Sequence, residues 1–184
     1  VPDLTQINSV TIDVAPAKVL SVTSPSADDV YYPGMHIDIE VRFDKAVVVL
    51  GATSTSPRLL VYAPYLKESS RLARFYSGNT TKILVFRYVV PMMDPGSLDT
   101  PRMTFDYESV TSINTYLGSS RICEATTIPD VDADVKLPSK DMSGIRAYSN
   151  IQLYLQIPVV NRVYSLSADD TYSAGDIVQI AVEY

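Results

Sequence analysis

The sequence predicts an all-β protein, an antiparallel β-sandwich, on three observations. Ile37, Ile39, Val41 and Phe43 alternate with Asp38, Glu40 and Arg42, and a period of two marks a strand with one buried face. Short runs of this kind, about seven or more, are separated by frequent turn signals, which indicates a sandwich with Greek-key connections. No window sets apolar residues at i, i+3, i+4 and i+7 on good helix formers, so no helix is expected.

The elements follow in order. Tyr31-x-x-Gly34 reads as a turn feeding the strand 36–43, with Gly34 free to take a positive φ. Residues 46–50 form a further short apolar run ended by Gly51, and 58–62 and 73–76 read as strands. Ser77-Gly78-Asn79-Thr80 is a hairpin-type turn into the strand 82–90, closed by Pro91, Pro95 and Gly96. Weaker strand signals lie at 110–113 and 116–117, and 151–157 closes the unit.

The chain also repeats itself. Ala27-Asp28-Asp29-Val30-Tyr31-Tyr32-Pro33-Gly34 recurs as Ala168-Asp169-Asp170-Thr171-Tyr172-Ser173-Ala174-Gly175, an offset of 141 residues, and 36–43 continues onto 177–184 without a gap. Upstream, Val19-Leu20-Ser21-Val22 aligns with Val163-Tyr164-Ser165-Leu166 at an offset of 144, which implies a shorter loop in the second copy. Self-similarity at one long spacing is the mark of repeat architecture.

These residues carry a resemblance. Val19 to Pro25, then Ala27-Asp28-Asp29, Tyr31 and Gly34, resemble the opening of the bacterial-type Ig-like tandem repeats of giant cell-surface and adhesin proteins. The likeness continues through Phe43-Asp44-Lys45-Ala46-Val47, residues 76–88, Asp106-Tyr107-Glu108-Ser109 and Asp132-Ala133-Asp134-Val135-Lys136-Leu137-Pro138. Asp29 departs from it, standing where a glycine is usual, and against the resemblance 100–105 looks like a small insertion. The resemblance implies an Ig-like Greek-key sandwich serving as a stalk, filament wall or adhesive surface. The expected organisation is 1–18 as the tail of a preceding repeat with its linker, 19–158 as a complete repeat, and 159–184 as the start of the next.

Composition bounds the function. The 184 residues carry 15 basic and 21 acidic side chains, a net charge of -6, which argues against a nucleic-acid partner because phosphate binding needs a basic surface. A single Cys forbids an internal disulfide. No run approaches the ~18 apolar residues of a membrane span, and the chain opens Val1-Pro2 without a leader, so its ends read as cuts through a longer extracellular, cell-surface or secreted polypeptide.

Candidate chemistry is sparse. His36 and Cys123 are the single residues of their kinds and lie far apart in sequence; with no phosphate loop or nucleophile motif, no catalytic residue is nominated and an enzyme is not expected. Asp130, Asp132 and Asp134 alternate, and could present hard oxygens to calcium along one side of an extended segment. Asp28 and Asp29, repeated as Asp169 and Asp170, could hold a junctional cation. Against both stand a solvated loop and the commoner turn and capping roles of Asp. Calcium is the one cofactor considered.

Asn79-Thr80-Thr81 is a glycosylation sequon if the source is a eukaryote. Tyr31, Tyr32, Tyr62, Tyr65, Tyr76 and Tyr88 either pack on the sheets or form a contact face for a glycan or protein. The expected partners are neighbouring repeats of the same chain, with lateral self-association or a cell-surface glycan or protein as the alternatives.

Overall fold

The computed structural model describes residues 15–51, 56–64, 66–93, 102–115, 120–126, 131–155 and 159–183. Its main sheet contains β1 (Val19–Thr23), β3 (His36–Gly51), β4 (Arg58–Leu60), β5 (Leu72–Ser77), β6 (Thr81–Val89) and β8 (Ile113–Asn114) in the spatial order β1-β3-β6-β5-β4-β8. The outer half of β3 also pairs with β9 (Ser120–Glu124). A second sheet orders β2 (Val30–Tyr31), β10 (Gln152–Tyr154) and β7 (Arg102–Thr104) as β2-β10-β7. Helical structure among the described residues is confined to single turns, including α1 (Lys140–Ser143).

The two-residue alternation does what it predicts. Ile37, Ile39 and Val41 of β3 lie opposite Tyr88, Phe86 and Leu84 of β6, Phe43 lies opposite Val19 of β1, and the named β3 and β6 side chains are buried. From the second sheet, Tyr31 and Leu153 join the same core, with Phe105, Ile151 and Leu155 beside them. The Tyr88 and Phe105 rings, 5.5 Å apart, bring the two sheets together, so the fold is an all-β, sandwich-like arrangement over one core. The main sheet is antiparallel throughout, but β2 runs parallel to β10.

Three expectations change. Residues 46–50 are not a separate strand: β3 runs unbroken to Gly51, and a register shift between Arg42 and Val47 lets it leave β6 and take up β9. The polar step at Asp44-Lys45 is tolerated because Lys45 Nζ donates to Ala15 O and to Glu124 Oε2 at 3.2 Å. The stretch read as an insertion supplies an element, β7, on the edge of the second sheet.

The third change concerns the repeated segment. β11 (Arg162–Ser165) and β12 (Ile180–Glu183) form a separate two-stranded ladder. Val163 pairs with Val182, as Val22 pairs with Val41. Ser26 N donates to Ser24 Oγ at 3.2 Å and Asp38 N to Ser26 Oγ at 3.0 Å; Ser167 N donates to Ser165 Oγ at 3.1 Å and Gln179 N to Ser167 Oγ at 2.9 Å. Tyr31 OH donates to Ala27 O at 3.0 Å, and Tyr172 OH to Ala168 O at 2.7 Å. Gly34 and Gly175 take φ of 88° and 103°.

Every one of these correspondences has an offset of 141, including those before Ala27. The 144 offset is therefore corrected: Val22-Thr23-Ser24 matches Val163-Tyr164-Ser165, and the loop is not shortened. Val19-x-Ser21 and Val22-x-Ser24 are the same pattern displaced by three residues, so the sequence alone does not choose between them.

Candidate functional site

The surface that stands out is the second copy of the opening segment. Tyr31, Ile37, Ile39 and Val41 are 7%, 0%, 0% and 0% exposed, whereas their counterparts Tyr172, Val178, Ile180 and Val182 are 40%, 47%, 67% and 47% exposed. Side chains that are core in the first copy thus face solvent in the second. Among the described residues, the hydrogen bonds of 159–183 stay inside that segment. β12 pairs with β11 on one edge, but β3 carries both β1 and β6. A free edge beside clustered apolar side chains is a pairing site that folded proteins normally cover.

The nominated carboxylates serve the backbone. Asp28 Oδ1 accepts from Asn150 N at 2.8 Å, and Asp29 Oδ1 from Val30 N at 2.7 Å. The first of these joins the opening loop to the chain just before β10. Asp132 and Asp134 share an exposed side, as their alternation predicts. Asp132 accepts from Arg121 Nε at 2.8 Å and from the Cys123 thiol at 3.5 Å, and the Arg121 hydrogen bond holds its carboxyl below the usual range. Asp134 Oδ1 accepts from Lys136 N at 3.0 Å, while Asp134 N donates to Ala17 O at 2.7 Å.

Residues 131–135 therefore act as a seam that ties β9 to the stretch before β1. Asp130 lies outside the described residues. Among the described residues no three His, Cys, Asp or Glu side chains group as metal ligands.

A buried carboxylate lies apart from the nominated aspartates. Asp106 follows Phe105 off the end of β7; its Oδ1 accepts from Tyr107 N at 2.8 Å and Ile145 N at 3.1 Å. Oδ2 is buried without a hydrogen-bond partner, 3.7 Å from Arg146 Nε. Burial raises the Asp106 pKa, opposed by the two backbone N–H groups and then by Arg146 and Lys140. A Cβ on Gly144 would stand 2.7 Å from Oδ2, so only glycine allows this approach.

Tyr62, Thr104, Asp106, Lys140 and Arg146 line a hollow of about 330 Å³. Lys140 Nζ donates to Glu108 O at 3.0 Å and lies 4.8 Å from the Tyr62 ring centroid. With its carboxylate occluded, this cluster clips the turn after α1 onto the second sheet. Local sequence offers no signal for it, because Asp106 and Ile145 are brought together by tertiary structure.

The tyrosines do not converge. Tyr31 and Tyr88 are buried, Tyr32 makes an edge contact with Tyr154 at 5.5 Å, and Arg87 sits 3.7 Å above the Tyr76 ring. Tyr65 lies outside the described residues. Asn79 occupies the exposed β5–β6 turn, and its Oδ1 accepts from Val49 N at 2.8 Å. His36 is exposed opposite Val89, whereas buried Cys123 pairs with Val48, twelve residues further along the same strand. That is up to about 40 Å at strand rise, so no Cys–His pair forms. No helix among the described residues is long and apolar enough to cross a membrane.

No known protein family, curated protein or solved structure matches the chain.

Proposed function

We propose that the chain is a piece of a tandem array of Ig-like sandwich repeats in a long extracellular or cell-surface protein. Its work is then length, stiffness and display, as stalk, filament or adhesive scaffold. The observation that carries this reading is the hydrogen-bonded opening segment occurring twice, 141 residues apart, with the same strand register. Two independent folds would have no reason to share a serine–serine relay, a tyrosine-to-carbonyl bond and a left-handed glycine at one fixed spacing. Repeat proteins arise from such recurrence, each unit meeting its neighbours.

Greek-key wiring is part of the proposal. Three hairpin-linked strands, β4-β5-β6, lie side by side, and β3, which precedes them, sits against β6 at the far side. That order supports the Greek-key reading, in which a fourth strand lies beside the far member of three consecutive ones. In this reading 19–158 is the complete unit, and 159–184 opens its successor.

Small-angle scattering on a chain carrying two and then three consecutive 141-residue units tests the function. The expected result is a maximum dimension that grows by the same increment with each unit. A compact particle whose dimension grows only as the cube root of mass would sink the reading.

A further inference from the structure

The cross-strand register of the main sheet lines up one charged row. Asn114 of β8 lies opposite Arg58 of β4, Arg58 opposite Arg74 of β5, Arg74 opposite Arg87 of β6, and Arg87 opposite Asp38 of β3. Leu59, Ala73, Phe86 and Tyr88, the chain neighbours of the three arginines, are buried, and successive side chains of a strand point to opposite faces. The guanidiniums therefore stand on the outer face, on three adjacent strands spaced by about 4.8 Å. Like charges placed directly opposite destabilise a sheet, so the row costs the fold stability even in a chain of net charge -6.

The row is neutralised at one end. Asp38 takes Arg87 through two 2.7 Å bonds, Nε to Oδ1 and Nη2 to Oδ2. Arg74 is exposed, and no carboxylate among the described residues pairs with it. Ser56, Arg58, Arg74 and Phe75 line a hollow of about 140 Å³. Further along β5, the Tyr76 ring lies 3.7 Å from the Arg87 guanidinium and is still 57% exposed. Two guanidiniums at a small hollow match a carboxylate with paired N–H donors. The flat tyrosine ring alongside offers apolar area with a polar tip.

We propose that the outer face of β4, β5 and β6 binds an acidic polysaccharide in which uronic acid sugars alternate with neutral ones, Arg58 and Arg74 holding a carboxylate and Tyr76 the adjoining sugar. This surface belongs to the main sheet and is independent of the repeat reading. Charge sets the density of the ligand. Asp38 and Glu40 stand on the outer face of β3 and bound the row on that side. The net negative charge opposes a polymer ionised at every unit, which disfavours single-stranded nucleic acid. An acidic peptide is disfavoured by the backbone. β5 is paired on both sides, so a peptide on this face meets no open edge on which to extend a ladder.

The test titrates the 184-residue chain by calorimetry at low salt with a hyaluronan octasaccharide, whose glucuronates alternate with neutral sugars. A second titration uses the same oligosaccharide with its carboxyls reduced to alcohols. Saturable binding of the acidic form is expected, weakening as salt is added. Carboxyl reduction or Arg74→Gln is expected to weaken it about tenfold or more. Lys82→Gln, which removes the same charge from the start of β6, should change it by less than about twofold. Arg74→Gln should also leave the urea midpoint unchanged or raised, since it removes the middle charge of three; lost binding is then not lost folding.

Absence of saturable binding overturns the inference, as does equal affinity for the reduced oligosaccharide or in Arg74→Gln. Equal or tighter binding of an oligoglutamate peptide, or of single-stranded DNA of matched charge, overturns it too, because the face then reads charge alone.

Discussion

Ile39 and Ile180 are the same residue at corresponding positions of the two copies, which makes them a matched pair for alanine substitution. Ile39 is fully buried among the β3–β6 side chains, whereas two-thirds of Ile180 is exposed. Truncating a fully buried Ile costs about 2–5 kcal/mol through lost transfer energy and the cavity left behind. An exposed substitution outside any special contact stays within about 0.5 kcal/mol. With a urea m-value of about 2 kcal/mol/M, Ile39→Ala should lower the midpoint by about 1–2.5 M, and Ile180→Ala by less than about 0.3 M. The chain has thirteen Tyr and no Trp, so tyrosine fluorescence follows the transition. Equal midpoint losses would refute the reasoning, since they would mean that Ile180 is already buried in the isolated chain. A loss at Ile39 below about 1 kcal/mol would refute it from the other side, by showing that β3 is not core.

Further outcomes follow from the same contacts. Gly34 and Gly78 both have left-handed φ, but a Cβ at Gly34 meets nothing, while at Gly78 it would overlap Ile83 O. Gly34→Ala should cost about 1–2 kcal/mol for the backbone alone, and Gly78→Ala distinctly more; equal losses in denaturant would contradict this. Asp38, lowered chiefly by its Arg87 hydrogen bond, contributes stability that is present above its unfolded pKa and lost as pH falls through the lower folded one. Asp106, raised by burial, has the opposite sign: its contribution is full below the unfolded pKa and is lost as pH rises through the folded one. Asp106→Asn should therefore flatten the loss of stability as pH rises above the ordinary carboxylate range, read from urea midpoints on either side of it. Asp28, Asp29, Asp132 and Asp134 already accept hydrogen bonds from the protein; calcium at about 5 mM, above the range of extracellular calcium modules, should leave the melting temperature unchanged.

The parts of the fold legible in the sequence are those in which one strand carries its own signal. β3 alternates strictly from Ile37 to Phe43, so that buried face can be named residue by residue, whereas the apolar run Ile83-Leu84-Val85-Phe86 marks β6 as a strand without telling which side is buried. β9 escaped notice because Ser120, Cys123 and Glu124 are buried there by what packs over them, and a polar residue buried by its neighbours leaves no local pattern. β7 has only three residues and no alternation. Its place is fixed by β10, some fifty residues later in the chain. The internal duplication was legible from Ala27 onward, where identical residues align without a gap. Upstream it was misplaced by three, because valine and serine recur at that spacing and only the hydrogen bonds of Ser24 and Ser26 select one alignment. Of the carboxylates, Asp132 and Asp134 are both exposed, and their partners Arg121 and Lys136 depend on β9 lying alongside and on the turn of the chain itself.

The parallel pairing of β2 with β10 has a mechanical consequence. β2 comes early in the chain, just after β1, and β10 late, just before β11, and the two lie side by side and point the same way. Tension applied at the two ends pulls β2 toward its N-terminal side and β10 toward its C-terminal side, so the strands are loaded in shear. The bonds from Asn150 N to Asp28 and from Gln152 N to Asp29 O, together with the pairing of Leu153 with Tyr31, then share the load and must yield together, where an unzipping geometry would break them one by one. In the tandem array proposed above, such a clasp would carry load in shear along the axis of the array.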